Sequence, residues 1–126
     1  MAESCTITEE TFGTVKKIKW VWVSAADGTV GAALVATTTT NAYSGECLRL
    51  ITVPATGADQ PDDNYDVTIQ DEDSVDVLIS AGLNRDETNA EQVIASSLGA
   101  VANDKLKLVV GGAGAGLGGT VYLYIR

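Results

Sequence analysis

Residues 15–24 read VKKIKWVWVS, and the alternation in this stretch decides the fold class. Ile18, Trp20 and Trp22 fall on one side of an extended chain, and Lys17, Lys19, Val21 and Val23 on the other. A period of two places successive side chains on opposite faces, so this is a strand whose tryptophan side belongs to a core. Two same-face tryptophans can also stack on a sugar, but in an alternating strand they read first as core. Asp27-Gly28 follows, a dipeptide suited to a tight turn, and Thr29 to Thr39 is expected to return as the second arm of a hairpin.

The same period recurs along the chain. Glu46 to Val53 is apolar on both faces and reads as an interior strand, with Arg49 at an edge or interface and Pro54 ending its ladder. Tyr65, Val67 and Ile69 alternate with Asp66, Thr68 and Gln70, and a turn at 71–73 leads to a short strand at Val75 and Val77, extending to Ile79. Lys105 to Val110 and Thr120 to Ile125 close the series. Between Gly82 and Gly99 the pattern changes. Thr88 and Glu91 have capping-box spacing, and the apolar residues after them admit a short helix around 88–98 or a structured loop. The expected fold is all-β: an antiparallel sandwich, jelly-roll-like or immunoglobulin-like, or a small barrel. Residues 1–13, polar and weakly periodic, read as a flexible N-terminal arm ahead of a single domain over 14–126.

Composition restricts function. The 126 residues carry 17 acidic and 8 basic side chains, a net charge of −9, which disfavours phosphate backbones and anionic lipid. No apolar run is long enough to span a membrane, and the first ten residues lack the pattern of a secretory signal, so synthesis in the cytoplasm is expected. There is no histidine, which removes Ser-His-Asp and Cys-His catalysis, and the chain is expected not to be an enzyme. Cys5 and Cys47 have no metal-site spacing and read as free thiols.

Two motifs need weighing. GAGLGG, Gly114 to Gly119, matches GxGxxG, but seven residues remain after it, mostly β-branched and aromatic. A dinucleotide site needs a helix there, so the segment reads as a hairpin tip requiring positive φ at several positions. Eight carboxylates lie between Asp59 and Asp76, with no Lys or Arg from 50 to 84. Asp62, Asp63, Asp71 and Asp73 are Ca²⁺ candidates because that cation takes six to eight oxygen ligands; without EF-hand spacing, the alternative is a solvated acidic edge. No other cofactor is implied.

NAYSGECLRLITVP at 41–54, PDDNYDVTIQDEDSVDVL at 61–78 and AGLNRDE at 81–87 together resemble small proteins encoded among the head genes of tailed bacteriophages, as do VKKIKWVWVSAADGTV and the ending GGTVYLYIR. The resemblance is to capsid decoration, or cement, proteins, and some small β domains of this type belong to tails or necks. It implies a structural virion protein that binds the outer capsid surface and stabilises the head. Its partners would be the major capsid protein and further copies of itself, as a trimer or dimer. In that reading Ala2 to Phe12 docks on the capsid or on a neighbouring copy. The implied contacts are Thr6, Ile7, Thr8 and Phe12 on the arm, with Arg49, Tyr122 and Tyr124 on the body. The competing reading is a calcium- or carbohydrate-binding β-sandwich module.

Overall fold

The computed structural model describes residues 3–32 and 36–126. Met1 and Ala2 of the expected arm, and 33–35 of the expected returning strand, lie outside the described residues. The chain is an all-β, sandwich-like fold of two antiparallel sheets. Its strands are β1 (Ser4–Phe12), β2 (Val15–Val23), β3 (Tyr43–Pro54), β4 (Asp66–Gln70), β5 (Glu91–Ile94), β6 (Ala100–Asp104), β7 (Lys107–Gly111) and β8 (Gly118–Ile125). The larger sheet runs β1-β2-β8-β3-β5, and β6 pairs β3 along the edge that β5 also uses. The smaller sheet is β4-β7, extended by isolated bridges from Val30 and Thr38 to β7.

The core lies between the sheets and follows the alternation. Ile18, Trp20, Trp22, Leu50, Val121 and Leu123 enter it from the large sheet, and Val67, Ile69, Leu108 and Val110 from the small one; all are buried. The Trp20 indole N–H donates to the Thr37 carbonyl at 2.9 Å, satisfying its polar atom. The Trp22 and Tyr65 rings meet at 5.5 Å, tilted, an arrangement that contributes about 0.5–1.5 kcal/mol beyond area burial. Burial pushes the Tyr65 phenol up to about 12. Both tryptophans are core residues and present no ring face to a sugar.

Five expectations are corrected. The segment read as a free arm is ordered: Ser4 to Phe12 forms β1, paired with β2 over nine residues through a turn at Gly13-Thr14. Its Cys5 and Ile7 pack against the core. The Asp27-Gly28 turn forms, with Thr29 donating to the Asp27 carboxylate, but it opens no hairpin. Both edges of β2 are taken, by β1 and β8, so the chain crosses to the small sheet and Val30 bridges Val110. No helix occupies 88–98. Asp86 caps the amides of Thr88 and Asn89, Glu91 to Ile94 pairs with β3, and only a single 3-10 turn follows at Ala95–Ser97. Val75 to Ile79 makes only the Gln70–Asp76 bridge, and at Ile79 and Ser80 the backbone turns to positive φ, ending any strand.

The glycine-rich segment is not a hairpin tip either. It carries the chain from β7 in one sheet to β8 in the other, with Gly112, Gly114 and Gly116 at positive φ. It is packed rather than free. Ala113 is buried, its amide donating to the Gly28 carbonyl and its carbonyl accepting from Asp62. The Ser24 hydroxyl donates to the Gly114 carbonyl and accepts from the Leu117 amide. A Cβ at Gly114 would stand 2.8 Å from the Asp62 carboxylate, which explains the absence of a side chain. A strand, not a helix, follows it, so the pyrophosphate site that GxGxxG suggests has no helix N-terminus.

Candidate interaction face

Register decides which residues share the outer face of the large sheet. One row runs Glu10, Lys17, Tyr124, Arg49, Ile94 across β1, β2, β8, β3 and β5. The next runs Thr8, Lys19, Tyr122, Ile51, Gln92, and a third Thr6, Val21, Thr120, Val53. Successive rows are two residues, or about 7 Å, apart. Phe12, opposite Val15, stands beyond the first row and is 58% exposed. Ile94 is 63% and Val21 41% exposed, and among the described residues nothing covers this face.

Its charge differs from that of the whole chain. Lys17 Nζ lies 5.3 Å from the Tyr122 ring centre and 5.8 Å from that of Tyr124. Lys19 Nζ stands 5.8 Å from Tyr122, and the Arg49 guanidinium 5.7 Å from Tyr124. These separations are within reach of the attraction between a cation and the electron-rich face of a ring. Arg49 Nε also donates to Gln92 Oε1 at 2.9 Å, which orients the guanidinium. Three cations therefore share these rows with two tyrosines and one carboxylate, Glu10.

The rows end in a hollow. Gly118 pairs with Val23 and accepts from the amide of Ala55 at the start of the loop after β3; a Cβ there would stand 2.9 Å from the Trp22 carbonyl oxygen, so the backbones pass closely at this end of the sheet. Gly118 lines an apolar depression of about 320 Å³ together with Val21, Val23, Val53, Pro54, Ala55 and Asp59.

Six of the seven contact residues expected from the sequence fall on this face: Thr6, Thr8, Phe12, Arg49, Tyr122 and Tyr124. Ile7 does not, because its place in β1 opposite Trp20 turns it toward the core. Sequence reading missed Lys17, Lys19, Ile51, Val53 and Gly118 as members of the surface. The signal for the lysines was present, since alternation sets them opposite the tryptophans.

The Ca²⁺ candidates are not brought together. Asp62 and Asp63 precede β4 and Asp71 and Asp73 follow it, so a five-residue strand of about 17 Å stands between the pairs. Among the described residues, no three metal-binding side chains form a group. The acidic stretch caps turns instead. Asp71 Oδ1 accepts from the amides of Asp73 at 2.9 Å and Val75 at 3.0 Å. Asp76 accepts from Ile69, Leu78 and Ser80, Asp66 from Asn84, and Glu72 from Lys105.

Glu9 of β1 has a related role. Its carboxylate accepts from the amides of Thr40 and Asn41, the Asn41 side chain and, at 2.7 Å, the Tyr43 hydroxyl. Partial burial alone would raise its pKa. The four hydrogen bonds outweigh that and hold it below the usual glutamate value. Burial and the Glu9 charge together push the Tyr43 phenol well up. β1 is thus tied to the chain leading into β3 as well as to β2. Cys5 and Cys47 are free thiols, each pushed up to about 11 by burial and a neighbouring glutamate, and so poorly nucleophilic. Among the described residues, no helix is long and apolar enough to cross a membrane.

The chain matches no protein-family model, no curated protein and no solved structure.

Proposed function

We propose that this chain is a structural protein of a tailed-bacteriophage virion, a decoration or cement protein that binds the outer surface of the capsid and stabilises the head. The observation that carries this reading is the uncovered outer face of the large sheet. It gathers Thr6, Thr8, Phe12, Arg49, Tyr122 and Tyr124 on one hydrogen-bonded surface. A cement protein must add contacts between shell subunits without deforming, and a sheet with an internal core offers a preformed face at little ordering cost. In this reading β1 contributes to docking as an ordered edge strand, not as an arm that folds on arrival. The acidic remainder of the surface keeps free copies apart before assembly. The protein is made in the host cytoplasm and ends on the particle, touching the major capsid protein and neighbouring copies.

The test is its copy number in particles purified from the encoding phage. Hundreds of copies per particle are expected. A few copies would move the protein to the tail or neck, and none would overturn the virion assignment.

A further inference from the structure

We infer that the outer face of the large sheet recognises a protein surface carrying carboxylates beside one protruding apolar side chain, which seats in the hollow at Gly118. The inference deepens the virion reading and rests on it for the partner's setting, though the chemistry stands on the face itself.

Charge is the first argument. In a chain of net charge −9, Lys17, Lys19 and Arg49 converge on a surface where the rows contain only Glu10 as an acid. Two copies meeting through this face would bring six cations together against four carboxylates, Glu10 and the hollow's Asp59 from each, so the like charges in excess disfavour a face-to-face dimer. An acidic partner is attracted by the same charges. Shape is the second argument. The depression of about 320 Å³ has apolar walls and room for one large side chain, as an interface anchor requires. The distance from the hollow to Lys19 and then Lys17 is about three to five residues of extended chain, or about 10–17 Å.

Nucleic acid fits less well, although lysines and tyrosines on a sheet can bind single strands. Here the cations already stand over the tyrosine rings, occupying the faces on which bases would stack. Among the described residues, the only charged side chain lining the hollow is the carboxylate of Asp59, which repels phosphate, and a charge every few ångströms of backbone would meet the acidic surroundings.

The experiment uses the full chain, isotope-labelled, titrated with the acetylated peptide amide FSGEEE and followed by NMR. Shifts are expected at Val21, Val53 and Gly118 and at Lys17, Lys19 and Arg49, at least tenfold weaker in high salt. FSGKKK should bind at least tenfold more weakly, and ASGEEE should lose the shifts at the hollow. The variant K17Q/K19Q/R49Q, checked for an unchanged melting curve, should lose at least tenfold in affinity for FSGEEE. No shift on this face with FSGEEE, equal binding of FSGKKK, or tighter binding of a ten-nucleotide thymidine strand would each overturn the inference. Particle occupancy separates the two proposals. Peptide binding by a protein absent from particles sinks the virion reading alone, whereas unchanged occupancy by the triple variant sinks the inference alone.

Discussion

The acidic stretch from Asp59 to Asp76 and the cationic outer face of the large sheet are both clusters of charge, yet the fold uses them in opposite ways. In the first, Asp66, Asp71, Glu72 and Asp76 are engaged by main-chain amides, so much of the charge is spent on shaping turns around β4. In the second, Lys17 and Lys19 make no hydrogen bond to the main chain of the described residues and rest on tyrosine rings at the surface. A buried or half-buried amide left without an acceptor costs about 1–3 kcal/mol, whereas an exposed cation above a ring contributes roughly 0.5–1. The acids are therefore matters of folding, and the cations are available for recognition.

Asp76 gives the largest expected effect. Its two oxygens accept from Ile69 at 3.1 Å, Leu78 at 3.0 Å and Ser80 at 2.9 Å, joining the end of β4 to the loop that returns along it. Asp76→Ala is expected to cost about 2–3 kcal/mol in urea denaturation, because three amides lose their acceptor together. Exposed Asp63, in the same acidic stretch, should change stability by under about 0.5 kcal/mol as Asp63→Ala. Equal losses at the two positions would mean that general charge, not turn capping, governs the region.

Gly114→Ala is expected next, at about 1–3 kcal/mol. It places a Cβ at a φ of +86° and 2.8 Å from both the Asp62 carboxylate and a Leu117 methyl. Gly112→Ala, also at positive φ but with open space around the Cβ, should cost about 1–2 kcal/mol from backbone conformation alone. The gap between the two variants in thermal melting measures the packing of the crossover segment. A Gly114→Ala protein as stable as wild type would show that segment to be loose.

A smaller effect is expected from pH at Glu9. Its folded-state pKa lies below its unfolded value, so its contribution is complete above the unfolded pKa and disappears as pH falls through the folded one. Wild type should exceed Glu9→Gln in stability at pH 7, and the difference should shrink on acidification below the ordinary glutamate range, as followed by urea denaturation at each pH. A difference independent of pH would mean that Glu9 works through hydrogen-bond geometry without its charge.

The sequence made the face directions of side chains readable and left strand neighbours hidden. Val15 to Val23 is a strand with the expected ends, and its buried and outward residues are those that alternation assigns. What alternation does not contain is that β8, about a hundred residues later, lies between β2 and β3. That insertion made the Asp27-Gly28 turn a crossover, and it also brings Tyr122 and Tyr124 between Lys17, Lys19 and Arg49. β1 went unrecognised because its inward residues, Cys5, Ile7 and Glu9, include an acid whose polar partners lie at 40–43. β5 was hidden for another reason. Glu91, Gln92 and the neighbouring alanines favour helix locally, and pairing with β3 at Arg49 to Thr52 overrides that preference.

The smallest expected effect on stability is the one that isolates the cationic face. Replacing Lys17, Lys19 and Arg49 together by Gln removes three positive charges from a surface on which these side chains cap no turn. The losses are the ring contacts and the Arg49 bond to Gln92. Exposed contacts of this kind are worth little, so the variant should unfold within about 1 kcal/mol of wild type. With net charge moved from −9 to −12, the small change should be a destabilisation that salt reduces. Urea denaturation at low and high ionic strength measures both quantities. A loss as large as that of Asp76→Ala would place the lysines among the groups that hold the sheet together, and the contrast between the two charge clusters would fail.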